Sequence, residues 1–217
     1  MQPIAAEFEP LTAATDLPPL ERDFFSRPTD VVARALLGQL LVSEGPAGAC
    51  VGRIVETEAY GGPDDRASHA RAGRTRRTAP MFGPVGHAYV YLVYGLHWCL
   101  NVVARGDAAA GAVLLRALEP LAGIDAMRER RGRPGDPAHT LAAGPARLAQ
   151  ALGVDGSLDG HDLTSRRRLW LASPVSDVAH PDLAIANGPR VGVGYAGPEW
   201  SAVAWRFWLD GHPSVSR

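Results

Sequence analysis

Short runs in which apolar and polar residues alternate recur along this chain, separated by clusters rich in Gly, Pro and Asp. Alternation with a period of two predicts β-strands, because successive side chains of a strand point to opposite faces. Strands are predicted over residues 39–43, 49–60, 88–93, 96–104, 112–118, 168–172, 190–195 and 202–209. The Tyr94-Gly95 pair between two of these runs predicts a β-hairpin turn.

The helical period of 3.6 residues is confined to three short segments. Helices are predicted from Thr29 or Asp30 to about Gly38, from Ile124 to Gly132 and from Pro145 to Gly153. Strands outnumber helices and do not alternate strictly with them, which predicts an α+β fold with a mostly antiparallel sheet.

The chain length predicts one domain. Its 217 residues, 46% of them hydrophobic, can bury a sizeable core and exclude a disordered chain. We expect residues 1–20 to be a loosely ordered terminus and residues 21–217 to form the domain. The N-terminus lacks the basic region of a signal peptide, so we expect a cytoplasmic protein. Residues 78–104 carry no charged side chain, but their alternation predicts a buried hairpin and not a membrane span.

The basic residues exclude several kinds of catalysis. All 22 are arginine and none is lysine, so a lysine Schiff base, a pyridoxal phosphate aldimine and a P-loop are excluded. The net charge of −1 means that binding to nucleic acid would require a local basic patch. Two cysteines, and seven histidines without HxxxH or HExxH spacing, do not predict a metal site.

Three polar side chains share one face of the strand predicted over residues 49–60. Glu56, Glu58 and Tyr60 alternate, so successive members lie about 7 Å apart on the same side. The row has two explanations: a solvated outer face, or a pocket wall that holds a general base beside an aromatic surface.

Two further features are ambiguous in the same way. Tyr94 beside Gly95 at a hairpin tip is either a packed aromatic residue or a side chain that wedges into a nucleic-acid groove. Arg116 is flanked by leucines and must be paired if it is buried. Its partner is either a structural carboxylate or a catalytic one that it orients.

Arginine clusters form three candidate phosphate-binding patches, although a charge run is usually a solvated face. They comprise Arg71, Arg74, Arg76 and Arg77; Arg128, Arg130, Arg131 and Arg133; and Arg166, Arg167 and Arg168. The first lies between the acidic strand and the hairpin, which favours contacts with DNA phosphates there.

The chain resembles the alkyladenine (3-methyladenine) DNA glycosylases, the mammalian-type methylpurine enzymes without a helix-hairpin-helix, from about Arg22 to Trp208. The matching motifs are ARALLG (33–38), GRIVETEAY (52–60), MF (81–82), YVYLVYG (89–95), LLRALEP (114–120), GP (144–145) and RVGV (190–193). The resemblance implies a single mixed domain with a curved sheet, surrounding helices and a protruding hairpin.

The resemblance also assigns roles by position. It makes Glu58 the general base, with Arg116 and the backbone carbonyl of Val191 holding the attacking water. The walls around a flipped base would be Tyr60, His69 and Tyr91, with Asn101 at the floor. Tyr94 would fill the gap in the base stack. Further DNA contacts would come from Arg74, Arg77 and Met81.

The implied activity is monofunctional hydrolysis. The enzyme would act as a monomer on damaged double-stranded DNA, without metal or cofactor. It would excise 3-methyladenine, 7-methylguanine, hypoxanthine or ethenoadenine and leave an abasic site. The absence of lysine independently argues against an associated lyase step.

Two other functions remain open. One is a non-catalytic nucleic-acid-binding module, because the family fold is similar to the C-terminal domain of methionyl-tRNA formyltransferases. The other is a sugar hydrolase that uses Glu56 and Glu58 as its carboxylate pair. Two acids on one wall are poorly placed to flank a glycosidic bond.

Overall fold

The computed structural model describes residues 16–46, 48–174 and 184–216. Its centre is one antiparallel sheet of eight strands, ordered β3-β4-β5-β2-β1-β6, with β8 paired to β2 and to β7. The strands are β1 (Leu40–Gly45), β2 (Gly48–Tyr60), β3 (Ala88–Val93), β4 (His97–Val103), β5 (Ala112–Ala122), β6 (Leu169–Ala172), β7 (Ile185–Gly188) and β8 (Arg206–Leu209). The predicted α+β class and single domain are confirmed.

Four helices accompany the sheet: α1 (Thr29–Ala35), α2 (Ile124–Arg131), α3 (Pro145–Leu152) and α4 (Pro198–Ala202). The first three lie where the 3.6-residue period and the Gly and Pro boundaries predicted them. Gly132 and Gly153 end α2 and α3 in the left-handed conformation that suits glycine at a helix C-terminus. Helices α1, α2 and α3 bury a common core with the sheet, in which Val32, Leu36 and Ile54 are fully inaccessible.

Strand β2 is the strand from which the site is built, because it pairs with β1, β5 and β8 along its 13 residues. Its register with β5 is irregular. The pairing passes from Glu56 opposite Ala117 directly to Thr57 opposite Leu115, so Arg116 is an extra residue on β5. Such a bulge redirects a side chain, and bulges are common beside active sites.

Several predicted boundaries are wrong. The chain at 190–195 is not a strand: Gly192 has a φ of +75°, and a 3₁₀ turn, Gly194–Ala196, follows. Residues 202–205 precede β8 and are not part of it, and β7 and α4 were not predicted. Strand β5 runs past Pro120, although it was predicted to end before this residue. A proline has no N–H to donate, and Pro120 lies at another register irregularity between β2 and β5, where a hydrogen bond between the strands can be missing.

The N-terminal prediction falls mostly outside the described residues, since 1–15 are not among them. Leu17 and Leu20 are buried, and the Leu20 amide donates to the Leu171 carbonyl at 2.8 Å. The packed structure therefore includes residues before 21. Within the described chain, each helix is too short or too polar to span a bilayer.

Candidate active site

A cavity of about 610 Å³ opens among strands β2 to β5, the loop before β3 and the segment after β7. Every predicted site residue except Arg74 lines it. The lining residues among them are Glu58, Tyr60, His69, Arg77, Met81, Tyr91, Tyr94, Asn101, Arg116 and Val191. Strand pairing explains why distant sequence segments meet here: Asn101 and Glu58 both lie opposite Leu114.

Glu58 is fully buried at this cavity. Its Oε2 accepts a hydrogen bond from the Tyr60 hydroxyl at 2.8 Å. Its Oε1 accepts one from the Val191 amide at 2.7 Å and lies 3.2 Å from Nη1 of Arg116. The explanation of this strand face as a solvated surface is therefore wrong, because it is a pocket wall.

Three donors leave Glu58 with one unused acceptor position, since an ionised carboxylate has about four. A water molecule would be the natural occupant. Val191 contacts Glu58 through its amide N–H, whereas the family resemblance assigned a role to its carbonyl. That role of the carbonyl stays a prediction.

Glu56 is also fully buried but does not line the cavity. Its Oε1 accepts from Nε of Arg116 and from Nε of Arg206, each at 2.7 Å. Burial acts to raise the pKa of Glu56, but the Arg116 charge and hydrogen bonds from Ser216 outweigh it, so the pKa is lowered. Arg116 therefore contacts both Glu56, which lies outside the cavity lining, and Glu58, which lines the cavity. It is both a structural ion-pair partner and a partner of the predicted catalytic carboxylate, so both explanations of Arg116 apply.

The aromatic walls are in contact with one another. The rings of His69 and Tyr91 meet edge to face, with centroids 4.7 Å apart. Nδ1 of His69 lies 2.9 Å from the Tyr89 hydroxyl. Burial, with the charges of Arg77 and Arg71, lowers the pKa of His69 to about 4. The imidazole is therefore neutral at pH 7.

Tyr60, Tyr89 and Tyr91 keep their hydroxyl protons at the cavity. Burial raises the pKa of Tyr89 to about 12. Burial and, for Tyr60, the Glu58 charge also raise the pKa values of Tyr60 and Tyr91. In the cavity lining, the buried Asn101 donates its side-chain amide to the Tyr89 carbonyl at 3.0 Å. The site presents an aromatic slot with a single buried acid.

Tyr94 lies at the tip of the β3–β4 hairpin with 91% of its surface exposed. It adopts a left-handed φ of +53°, and Gly95 follows with a φ of +71°. The alternative of a packed aromatic residue is therefore wrong. A non-glycine residue held in this conformation at a tip presents its ring to solvent beside the cavity mouth.

The first arginine cluster is exposed, as predicted: Arg71, Arg74, Arg76 and Arg77 all reach solvent. The Arg77 guanidinium lies over the Tyr91 ring, 5.4 Å from its centroid. Met81, predicted as a DNA contact, is 1% exposed and packs with Tyr89 and Ala112. The structure makes it part of the cavity wall and not a surface contact, because its 3₁₀ turn folds inward.

Sequence reasoning did not identify two groups that support the site. Arg190 makes a buried two-pronged ion pair with Asp65, at 2.6 and 3.0 Å, and stacks over Tyr60 at 4.9 Å. Arg206 and Ser216 hold Glu56 from the other side. The RVGV motif (190–193) drew attention to this segment. The role of its arginine becomes clear only from the ion pair between Arg190 and Asp65 in the folded structure.

Metal binding has no candidate among the described residues: they contain no group of three or more His, Cys, Asp or Glu side chains that could hold an ion. Cys99 lines the cavity as a thiol, because burial raises its pKa to about 11. The titratable groups at the cavity can therefore supply one carboxylate base and neutral donors.

Comparison with known proteins defines the class. Residues 23–213 match the family model described as methylpurine-DNA glycosylase. A putative 3-methyladenine DNA glycosylase of Streptomyces avermitilis is 46% identical over 206 residues, covering 95% of this chain and 94% of that one. One from Anaeromyxobacter dehalogenans is 48% identical over 91% of this chain and 85% of its own.

The human DNA-3-methyladenine glycosylase is 44% identical over 203 residues, covering 89% of this chain and 66% of the human one. The chain belongs to the methylpurine-DNA glycosylase family. The resemblance inferred from the motifs is confirmed.

Proposed function

We propose that this protein excises alkylated and deaminated purines from double-stranded DNA by hydrolysis and leaves an intact abasic site. The observation that carries the proposal is Glu58, a fully buried carboxylate that lines an aromatic cavity and is held there by the Tyr60 hydroxyl and the Val191 amide. Membership of the family and the names of its relatives support the glycosylase activity. A non-catalytic binding module would have no use for such a base.

The damaged nucleotide must leave the duplex before it can reach this cavity, because a stacked base is inaccessible. Tyr94 would occupy the gap, since its ring stands free at the mouth. Arg74 and the neighbouring exposed arginines would contact phosphates and hold the duplex in place. We expect the enzyme to act as a monomer in the cytoplasm.

Glu58 would accept a proton from a water molecule as its oxygen attacks the anomeric carbon of the sugar. The carbon–nitrogen bond to the base breaks, and the bonding electrons leave with the base. The same carboxylate stabilises the positive charge that develops on the sugar. Arg116 and the Val191 carbonyl would hold the water, and Arg116 already contacts Glu58.

Selection would combine stacking with chemistry. An alkylated, electron-poor base is attracted to the faces of Tyr60 and Tyr91. A neutral His69 adds no charge that would repel a cationic base. Such a base is also a good leaving group, so few base-specific hydrogen bonds are needed.

The test uses duplexes with one 3-methyladenine, 7-methylguanine, hypoxanthine or ethenoadenine, beside undamaged duplex and free nucleosides. We expect release of the free damaged base from duplex, and strand breakage only after alkali. Borohydride should trap no enzyme–DNA adduct, because no lysine is present. Turnover of free nucleosides without action on duplex would instead favour a sugar hydrolase.

A further inference from the structure

A closed cluster of charged groups lies directly behind the cavity and takes no part in the proposed chemistry. Its centre is the carboxylate of Glu56, which receives four hydrogen bonds. The donors are Arg116 Nε and Arg206 Nε at 2.7 Å, the Ser216 amide at 2.8 Å and the Ser216 hydroxyl at 2.9 Å. Because Glu56 is fully buried and does not line the cavity, it cannot act on a substrate itself.

The cluster reaches the cavity through one side chain, Arg116. Each nitrogen of that guanidinium has its own partner. Nε donates to Glu56, Nη1 lies 3.2 Å from Glu58, and Nη2 donates to the Ser216 hydroxyl at 3.2 Å. Because the guanidinium is planar and rigid, two contacts outside the cavity determine how the third approaches Glu58.

We propose that Glu56, with Ser216 and Arg206, positions Arg116 so that it contacts Glu58 by one edge only; this inference rests on the function proposed above. Free of Glu56, the arginine fork would turn towards Glu58 and pair with both of its oxygens, as arginine and carboxylate groups prefer. That pairing would occupy the acceptor position left for water. Glu56 therefore keeps the general base available.

Charge leads to the same conclusion. Glu56 and Glu58 carry two negative charges, and Arg116 and Arg206 carry two positive ones, so the buried cluster is balanced. A buried charge without a partner is strongly unfavourable, so each group of the cluster depends on its neighbours. Replacing Glu56 with a neutral residue would direct the whole Arg116 charge towards Glu58.

Ser216 offers a substitution with a close control. Ser216→Ala removes the hydroxyl that contacts both Glu56 and Arg116, while the backbone contact to Glu56 remains. Ser214→Ala removes another buried hydroxyl two residues earlier, one without a hydrogen-bond partner among the described residues. Each variant loses one hydroxyl, and only the hydroxyl of Ser216 is linked to Arg116.

The experiment measures single-turnover excision of hypoxanthine from duplex DNA, recording the rate constant and the active fraction separately. We expect Ser216→Ala to lower the rate constant roughly threefold to tenfold, because a hydrogen bond to an ionised group is lost, and Ser214→Ala to leave it unchanged. Glu56→Gln should lower it further, because Arg116 then loses its main partner behind the cavity. Affinity for the lesion duplex should stay close to that of the wild type.

Equal rate constants for the two serine variants, or a Glu56→Gln rate constant no lower than that of Ser216→Ala, would overturn the inference. A loss of active fraction at an unchanged rate constant would also overturn it, since that result indicates a purely structural cluster. Failure of the wild-type protein to release any damaged base would instead reject the proposed function, so the two failures are distinguishable.

Discussion

The Tyr60 hydroxyl donates to Oε2 of Glu58 over 2.8 Å, although the two residues belong to the same strand. Side chains two apart on a strand face are about 7 Å apart at the backbone, so the contact requires both to lean towards each other. It joins the aromatic wall of the cavity to the general base. Tyr60 therefore has two separable functions, one in its ring and one in its hydroxyl.

Tyr60→Phe should separate those functions. The ring remains for stacking, but the carboxylate loses a donor, and we expect slower excision with similar affinity for lesion duplex. Tyr60→Ala should in addition lose discrimination among damaged bases, in paired and bulged duplexes alike. Excision rates for three or more lesions measure both effects; equal selectivity in Tyr60→Ala and wild type would contradict the stacking role.

The exposed ring of Tyr94 predicts a defect that depends on duplex structure. Tyr94→Ala should weaken binding to paired lesion duplex by ~1–3 kcal/mol, as the loss of a base-stacking aromatic does. The defect should shrink when the lesion is mispaired or bulged, because extrusion then costs less. Thermal stability should hardly change, since the side chain is 91% exposed. Equal losses of binding to the paired and the bulged duplex, together with a lowered Tm, would contradict the insertion of Tyr94 into the base stack.

The neutral state of His69 predicts a pH effect on stability. Its pKa of about 4 in the folded protein lies below the ordinary value of 6.5, so between these pH values the unfolded chain binds the extra proton. Stability from this residue is therefore present above pH 6.5 and is lost as the pH falls towards 4. Denaturant unfolding should show His69→Gln losing less stability than wild type over that window; parallel curves would contradict this.

The Arg190–Asp65 ion pair should contribute to stability far more than a surface pair. Both side chains are buried, so Asp65→Asn leaves an unpaired guanidinium beneath Tyr60 and should cost about 3–5 kcal/mol. Asp125→Asn is the matched control, because Asp125 is 97% exposed and its pair with Arg128 is screened by water. Chemical unfolding measures the stability of both variants. A similar unfolding midpoint for Asp65→Asn and Asp125→Asn would contradict the claim that the Arg190–Asp65 pair stabilises the site.

The sequence predicted the parts of this molecule that depend on local pattern. Alternation located β2 and the hairpin, and Gly and Pro boundaries located α2 and α3. The segment around Val191 was misread as a strand, because its apolar alternation resembles one while positive-φ glycines turn the chain. Local pattern does not reveal such turns when tertiary contacts select them.

The site was predictable as a set of residues but not as a network. Motifs brought Glu58, Tyr60 and Arg116 to attention, and strand geometry put the first two on one face. The partners Arg206 and Ser216 are 150 and 160 residues from Glu56, and no period in the sequence connects them. The bulge that aims Arg116 also depends on how two distant strands pair.

Single-turnover excision by Glu58→Gln and Glu56→Gln, measured side by side on one lesion duplex, tests the account most directly. Glu58 lines the cavity, whereas Glu56 is buried outside the cavity lining among its own partners. We expect Glu58→Gln to bind the duplex but excise ~10²-fold more slowly or worse, and Glu56→Gln to lose clearly less. A Glu58→Gln rate near wild type, or a larger loss in Glu56→Gln, would contradict the assignment of Glu58 as the base.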